Sequence, residues 1–285
     1  MPKLLVRYGE IGLKSASVRR RFEQQLIADM RRRHASAQVA CVISQARGRV
    51  FVDSDDWRKS CEILSRTFGV VSFSPVTEVS SEAAELESAA VEFARGLMFK
   101  GASFAVRSRR SGNHPYTSQE IARKLGESIL KDNSALGIRV NLEEPDVEVS
   151  VEVRDRKAYL FSMALPGPGG MPLGSQGRAL CAVDSEAGLA STWLMMKRGC
   201  SVLVATSDAN ALAPLGAWYP NLKAVEPEED LIHQAVTNDC IGVALAWRLK
   251  DIEGKGPLKG ELPVFYPLVG LSEEEVRGLI DRIRA

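Results

Sequence analysis

Residues 166–177, Pro-Gly-Pro-Gly-Gly-Met-Pro-Leu-Gly-Ser-Gln-Gly, cannot form the interior of a helix or a strand. Eight of the twelve are Gly or Pro, and none is charged. Proline withholds a backbone donor, and glycine loses the most conformational freedom on ordering. The stretch reads as a linker dividing the 285-residue chain into an N-terminal and a C-terminal part. Each part is long enough to bury a core of its own.

Before the linker, strand and helix patterns alternate. Lys3–Tyr8 is strand-like. Val18, Phe22, Leu26, Ile27 and Met30 make one 3.6-residue stripe, which predicts an amphipathic helix over 17–33 with most arginines on its other face. Strands fit 38–43 and 49–52, joined by a turn at Arg47-Gly48-Arg49. A helix fits 55–67 and a strand 70–77. The order βαββαβ over residues 1–75 is the ferredoxin-like pattern.

A second unit spans 76–165. Leu86, Ala90, Phe93, Ala94 and Leu97 predict a helix, and 103–107 a strand. Thr117 and Glu120 have capping-box spacing ahead of a helix carrying Ile121, Leu125 and Ile129. Val147, Val149, Val151 and Val153 alternate with polar residues, as in a half-buried strand, and Arg154–Lys157 turns it into a second strand at 158–164. Beyond the linker, residues 178–285 again alternate strand (178–183), helix (188–198) and strand (201–206). An apolar run at 241–247, a strand at 263–268 and a final helix from Ser272 follow. The expected fold class is α/β, with an α+β N-terminal half and a small parallel-sheet domain behind it.

Charge is distributed unevenly. The first 50 residues carry eleven Lys/Arg against three acidic residues, whereas residues 178–285 carry eleven against fifteen. A polyanion would be gripped at the front of such a chain. No apolar run approaches the ~18 residues a membrane span needs, and the start lacks the long apolar core of a signal peptide, so a cytoplasmic protein with no membrane partner is expected. Cys41, Cys61, Cys181, Cys200 and Cys240 form no Cys-x-x-Cys pair, and no metal site is expected.

Two stretches carry the chemistry. Arg7, Gly9 and Lys14 flank the end of the first strand, where flexible backbone and cations can approach phosphate. Arg107-Ser108-Arg109-Arg110-Ser111-Gly112-Asn113-His114 lies between a strand and the helix capped by Thr117. It offers guanidinium forks for phosphate, and an amide and imidazole for sugar or base edges. The competing reading is a polar surface loop.

These segments resemble the tRNA 4-thiouridine synthetase (ThiI) family. The likeness is carried by Val6-Arg7-Tyr8-Gly9-Glu10-Ile11-Gly12-Leu13-Lys14, Phe68–Pro75, Arg109–Pro115, Ser118-Gln119-Glu120, Pro145–Glu148, Gly167–Gly174 and Trp193–Gly199. It is close over 1–177, recognisable to about 206 and loose beyond. The resemblance implies an N-terminal ferredoxin-like domain at 1–75, a THUMP RNA-binding domain at 76–165, the linker at 166–177, and a PP-loop domain from 178. It also implies that the acceptor end of tRNA is the ligand. Arg7, Lys14, Arg21, Arg107, Arg109 and Arg110 would then meet phosphates, and Asn113 and His114 would meet sugar or base edges.

In that family the loop before the PP-loop helix reads Ser-Gly-Gly-x-Asp-Ser. Here Val183, Asp184, Ser185, Glu186, Ala187 and Gly188 occupy those positions. The paired glycines that let backbone N–H groups wrap a pyrophosphate are missing, and Asp184 and Glu186 would bring negative charge to the phosphates. Ser185 or Asp184 suits a helix cap instead. The family's sulfur-carrying cysteine lies beyond the helix at which this chain ends. The expectation is therefore a tRNA-binding protein with a degenerate PP-loop domain, no catalytic residue and no cofactor. ATP with Mg would act only in the alternative, an active tRNA sulfurtransferase with an altered loop or a partner. A separate modification or sulfur-transfer protein and a homodimer are further expected partners. A THUMP-type methyltransferase is disfavoured, since no glycine-rich nucleoside-binding signature follows a strand.

Overall fold

The computed structural model describes residues 3–46 and 48–285. Arg47, placed by the sequence in the turn between the second and third strands, lies outside the described residues. The chain runs β1 (Lys3–Tyr8), α1 (Ala16–Ser36), β2 (Cys41–Ala46), β3 (Arg49–Ser54), α2 (Trp57–Ser65), β4 (Val70–Ser80), α3 (Ala83–Arg95), β5 (Ser103–Ser111), α4 (Ser118–Asp132), β6 (Arg139–Val140), β7 (Val147–Arg154), β8 (Lys157–Phe161) and β9 (Leu165–Pro166). It continues β10 (Arg178–Ala182), α5 (Glu186–Lys197), β11 (Ser201–Ala205), α6 (Ala213–Gly216), β12 (Lys223–Val225), α7 (Leu231–Thr237), β13 (Val243–Ala244), α8 (Leu249–Lys255), β14 (Val264–Phe265) and α9 (Glu273–Arg284).

β1 to β9 form one sheet in the order β2-β3-β1-β4-β8-β7-β5-β6, with β9 paired to β4. Its first four strands have the ferredoxin-like order. β1 lies antiparallel to β3 from Lys3↔Asp53 to Val6↔Val50. One compact unit contains the chain up to Arg7 together with Cys41–Trp57 and Ser72–Pro166. Within it the alternation of β7 is visible directly. Val151 and Val153 join Leu86, Ile121, Leu125 and Leu160 in one core, while Val149 joins Phe104 and Ile129 in another. The Thr117–Glu120 capping box is formed, Thr117 Oγ1 accepting from the Glu120 N–H and the Glu120 carboxylate accepting from the Thr117 N–H. It satisfies two donors that the first turn of a helix leaves orphaned.

The second compact unit consists of Tyr8–Ala40, Arg58–Val71 and Gly167–Ala285. Its sheet has the order β12-β11-β10-β13-β14, and every pairing in it is parallel. A run such as Ala179-Leu180-Cys181 is buried on both faces, as parallel strands covered by helices require. Phe68, Trp193 and Trp218 meet edge-on or tilted at 5.2–5.5 Å between ring centroids in its largest core.

The Gly/Pro stretch is not the loose linker its composition suggests. Met171, Pro172 and Leu173 are buried. The Gly69 N–H donates to the Gly169 carbonyl, the Met171 N–H to Lys197, and the Gln176 N–H to Gly199. Glycine is needed because the backbone passes so close: a Cβ at Gly170, whose φ is +75°, would lie 2.2 Å from the Lys197 carbonyl oxygen. A segment without a regular ladder must satisfy its polar groups elsewhere, and this one does so within the second unit.

Candidate nucleic-acid interface

The chemistry of the first unit is set by one face of its sheet. Residues 107 and 109 on β5 and 150 and 152 on β7 share a face by the two-residue period of a strand. The parallel register pairs Arg107 with Ser150 and Arg109 with Glu152. The sequence ends this strand at residue 107, and the structure carries it four residues further. β5 runs through to Ser111 because β7 pairs with it along its whole length, up to Ser111↔Arg154. Ladder formation overrode the weak strand preference of Arg and Ser.

A cavity of about 600 Å³ opens on these residues. It is lined by Arg7, Arg107, Arg109, Gln119, Glu152 and Phe161, among others. Arg109 is exposed and has no carboxylate within ion-pair distance among the described residues. Arg107 leans on the Leu142 carbonyl and lies 3.6 Å from Glu148. Arg7 differs from the expected solvent-facing cation. Its side chain is 13% exposed, its Nη1 donates to Ser74 Oγ at 3.0 Å, and its guanidinium lies 4.7 Å from the centroid of the Phe161 ring.

What draws Arg7 inward is Glu152, which sequence reasoning took only for the polar side of a strand. The Glu152 carboxylate meets Arg7 Nε at 3.4 Å, Arg49 Nε at 2.9 Å and Arg154 Nη2 at 2.6 Å. Burial alone would push its carboxyl upward, but the guanidiniums of Arg49, Arg154 and Arg7 hold it below the usual carboxylate value. A buried carboxylate needs this pairing to stay ionised. The only sequence hint was a glutamate at a position that the valine alternation of β7 makes inward-facing on the sheet's second side.

A second cavity, about 790 Å³, is lined by Asn113, His114, Arg154, Arg156, Lys157 and Tyr159, with others. His114 Nε2 is 2.6 Å from the Asp155 carbonyl oxygen, and its ring stacks on Tyr116 at 5.6 Å. Arg110 donates to the Gly112 carbonyl at 3.0 Å and lies 3.4 Å from His114 Nδ1. Arg156 and Lys157 were missed as site residues; three cations within the four-residue hairpin turn were the available signal. Arg7, Arg107, Arg109, Arg110, Asn113 and His114 thus all belong to the first unit. Lys14 and Arg21 belong to the second, where both are exposed and Arg21 lies 5.2 Å from the Phe22 ring.

In the second unit, Val183–Gly188 form the junction between β10 and α5, beside a cavity of about 400 Å³ lined by Asp184, Ser185, Glu186, Thr206, Asp208 and Arg284, with others. Ser185 is the residue before the helix, but its hydroxyl donates to Asp184 Oδ1 at 3.0 Å rather than capping. The N–H groups of Gly188 and Leu189 donate to the Ser185 carbonyl as the first bonds of the helix. Gly188 is itself a packing glycine, since a Cβ there would fall 2.9 Å from Val183 Cα. The junction thus lacks the paired glycines of the triphosphate cradle that the resemblance implies. The Coulomb objection is milder than closeness in sequence suggests: both carboxylates are exposed, and Glu186 is paired with Arg284. The thiols of Cys181, Cys200 and Cys240 are all pushed upward by burial, which disfavours the nucleophilic thiolate. Among the described residues no His/Cys/Asp/Glu group could hold a metal ion, and no helix is long and apolar enough to cross a membrane.

Comparison with known proteins agrees with this organisation. Residues 3–74 match the model of the ThiI ferredoxin-like domain, and residues 80–162 match the THUMP domain. A protein of Methanobrevibacter smithii named "Probable tRNA sulfurtransferase" is 37% identical over 213 residues, covering 72% of this chain and 53% of that protein. The chain spans about half the length of the curated relatives it matches. Among solved structures, PH1313 from Pyrococcus horikoshii superposes with a TM-score of 0.85 at 28% identity, over 100% of both chains. A 4-thiouridine synthetase–RNA complex with bound ATP superposes with a TM-score of 0.76 at 21% identity, over 99% of this chain and 85% of that one. With a ferredoxin-like domain, a THUMP domain and a PP-loop-like parallel-sheet domain in that order, the chain belongs to the ThiI family.

Proposed function

We propose that this protein binds tRNA through the cationic face of its first unit, and that the acceptor end is the part it holds. The observation that carries the reading is the convergence of Arg7, Arg107 and Arg109 on one cavity and of Arg154, Arg156, Lys157 and His114 on another. Guanidinium and ammonium groups meet phosphates, while Asn113, His114 and neighbouring aromatic rings suit unstacked nucleotides of a single-stranded end. Lys14 and Arg21, exposed cations of the second unit, are separate candidates for phosphate contact. The THUMP match and the printed names of the relatives support the same reading. Mobility shifts with tRNA at several salt concentrations test it. Salt-sensitive binding tighter than to an unrelated duplex is expected; equal or salt-insensitive binding would overturn it.

For the second unit, the residues at 183–188 favour loss of ATP adenylation, because the paired glycines that would wrap a pyrophosphate are absent. A second reading has the protein act as an ATP-dependent tRNA sulfurtransferase, with a partner supplying what the loop lacks. The relatives' names and the preserved order of the C-terminal elements support this reading better than loss of function. Titration calorimetry with ATP and magnesium separates the two: micromolar binding selects the enzyme, and no heat selects the binding protein. A homodimer, a separate sulfur-transfer partner and a cytoplasmic location belong to this proposal.

A further inference from the structure

We propose that Glu152 is a positioning residue for RNA: one buried carboxylate that yokes guanidiniums from two cavities so that they act as a single phosphate-binding strip. The inference rests on the tRNA-binding reading above.

The Glu152 side chain is 4% exposed and meets three guanidiniums. A buried ion cluster is a poor device for stability, because apolar residues of similar volume do as well or better. Its arrangement points to another use. The carboxylate gathers Arg7 from β1, Arg49 from β3 and Arg154 from its own strand β7. Arg7 lines the 600 Å³ cavity beside Arg107 and Arg109, whereas Arg154 lines the 790 Å³ cavity beside Arg156 and Lys157. Arg49 lines neither and acts as a buttress. Glu152 is thus the one side chain in ion-pair contact with a guanidinium of each cavity among the described residues.

Without it these cations would repel. Arg7 already feels Arg49 and Arg109 as unfavourable neighbours, and Glu152 is what offsets them. One carboxylate against three guanidiniums still leaves a local excess of positive charge. One donor atom there also awaits an acceptor: Arg7 Nη2 is buried with no hydrogen-bond partner among the described residues. An unsatisfied buried donor is costly, and a phosphate oxygen is the acceptor whose charge suits this surrounding. The carboxylate therefore spaces the cations while leaving a guanidinium donor of Arg7 for the ligand.

The test exploits a reversal of sign. Glu152→Gln removes a negative charge from an RNA-binding face, and on net charge alone it should tighten binding. Positioning requires the opposite: binding to an unmodified tRNA transcript about tenfold weaker, with the salt slope lower by about one. Equal or tighter binding by a folded Glu152→Gln protein would overturn the inference. Should that variant lose its thermal transition, the double-mutant cycle of Arg7→Gln and Arg154→Gln reads the same yoke. Effects that fail to add by about threefold or more support it, and additive effects overturn it. If the wild-type protein does not bind the transcript at all, the tRNA reading itself has failed, which the wild-type control distinguishes.

Discussion

Arg33 of α1 donates to the main-chain carbonyl of Trp218, 185 residues further along the chain, while its Nε holds Asp29 Oδ2 at 2.8 Å. Nη1 reaches the Ala217 carbonyl at 3.2 Å. One arginine of the basic helix is therefore a structural pin inside the second unit, with guanidinium and carboxylate 4% and 3% exposed. Arg33→Met should lower stability by about 2–4 kcal/mol, because it leaves buried Asp29 with only Arg32 at 3.2 Å and takes the donor from two carbonyls. Urea denaturation measures this; a loss below about 1 kcal/mol would show the pin to be dispensable.

The packed Gly/Pro stretch makes a paired prediction. Gly170→Ala drives a Cβ against the Lys197 carbonyl and should cost about 2–4 kcal/mol. Gly169→Ala, also at positive φ but with nothing within 4 Å of its Cβ, should cost about 1–2 kcal/mol for conformation alone. Equal melting temperatures for the two variants would contradict the close approach.

His34 is 1% exposed, with Nδ1 at 2.8 Å from the Met30 carbonyl and Nε2 at 3.2 Å from Ser60 Oγ. An Nδ1–H tautomer donating to Met30 lets Nε2 accept from the hydroxyl. Burial, only partly offset by the Met30 hydrogen bond, lowers its pKa from the ordinary 6.5. The unfolded chain then binds the proton more readily than the folded one. The stability contributed by neutral His34 is complete above about pH 6.5 and falls as pH drops toward the folded value. Chemical melts between pH 7.5 and 5.5 should lose stability on acidification, and His34→Asn should lose less. Parallel slopes for the two proteins would remove His34 as the cause.

Arg109 and Arg7 separate contact from scaffold. Arg109→Gln should reduce the salt slope of tRNA binding by about one while leaving stability within about 0.5 kcal/mol. Arg7→Gln should also destabilise the fold, because it withdraws a partner from buried Glu152. The pair is compared by mobility shift and thermal melt. A destabilised Arg109→Gln, or an Arg7→Gln of wild-type stability, would reverse the assignment.

Local pattern alone determined much of this protein. The βαββαβ order, the Thr117 cap, the valine alternation of β7 and the parallel character of the last sheet follow from short-range periodicity and end signals, which depend only on nearby residues. Segments with weak periodicity, such as β12 and α7, were not legible, since their place is set by the neighbours they pair with or cover. Tertiary structure alone decided three further things. It extended β5 through Ser111, because a complete ladder with β7 outweighs residue preference. It packed the glycine-rich stretch, because carbonyls and N–H groups far away in sequence satisfied it. And it put Glu152 among Arg7, Arg49 and Arg154, a cluster assembled from three strands that no spacing along the chain encodes. Charge counting could say that the front of the chain is basic. Which cations face solvent and which face a carboxylate is settled by strand register, and register is a property of the fold.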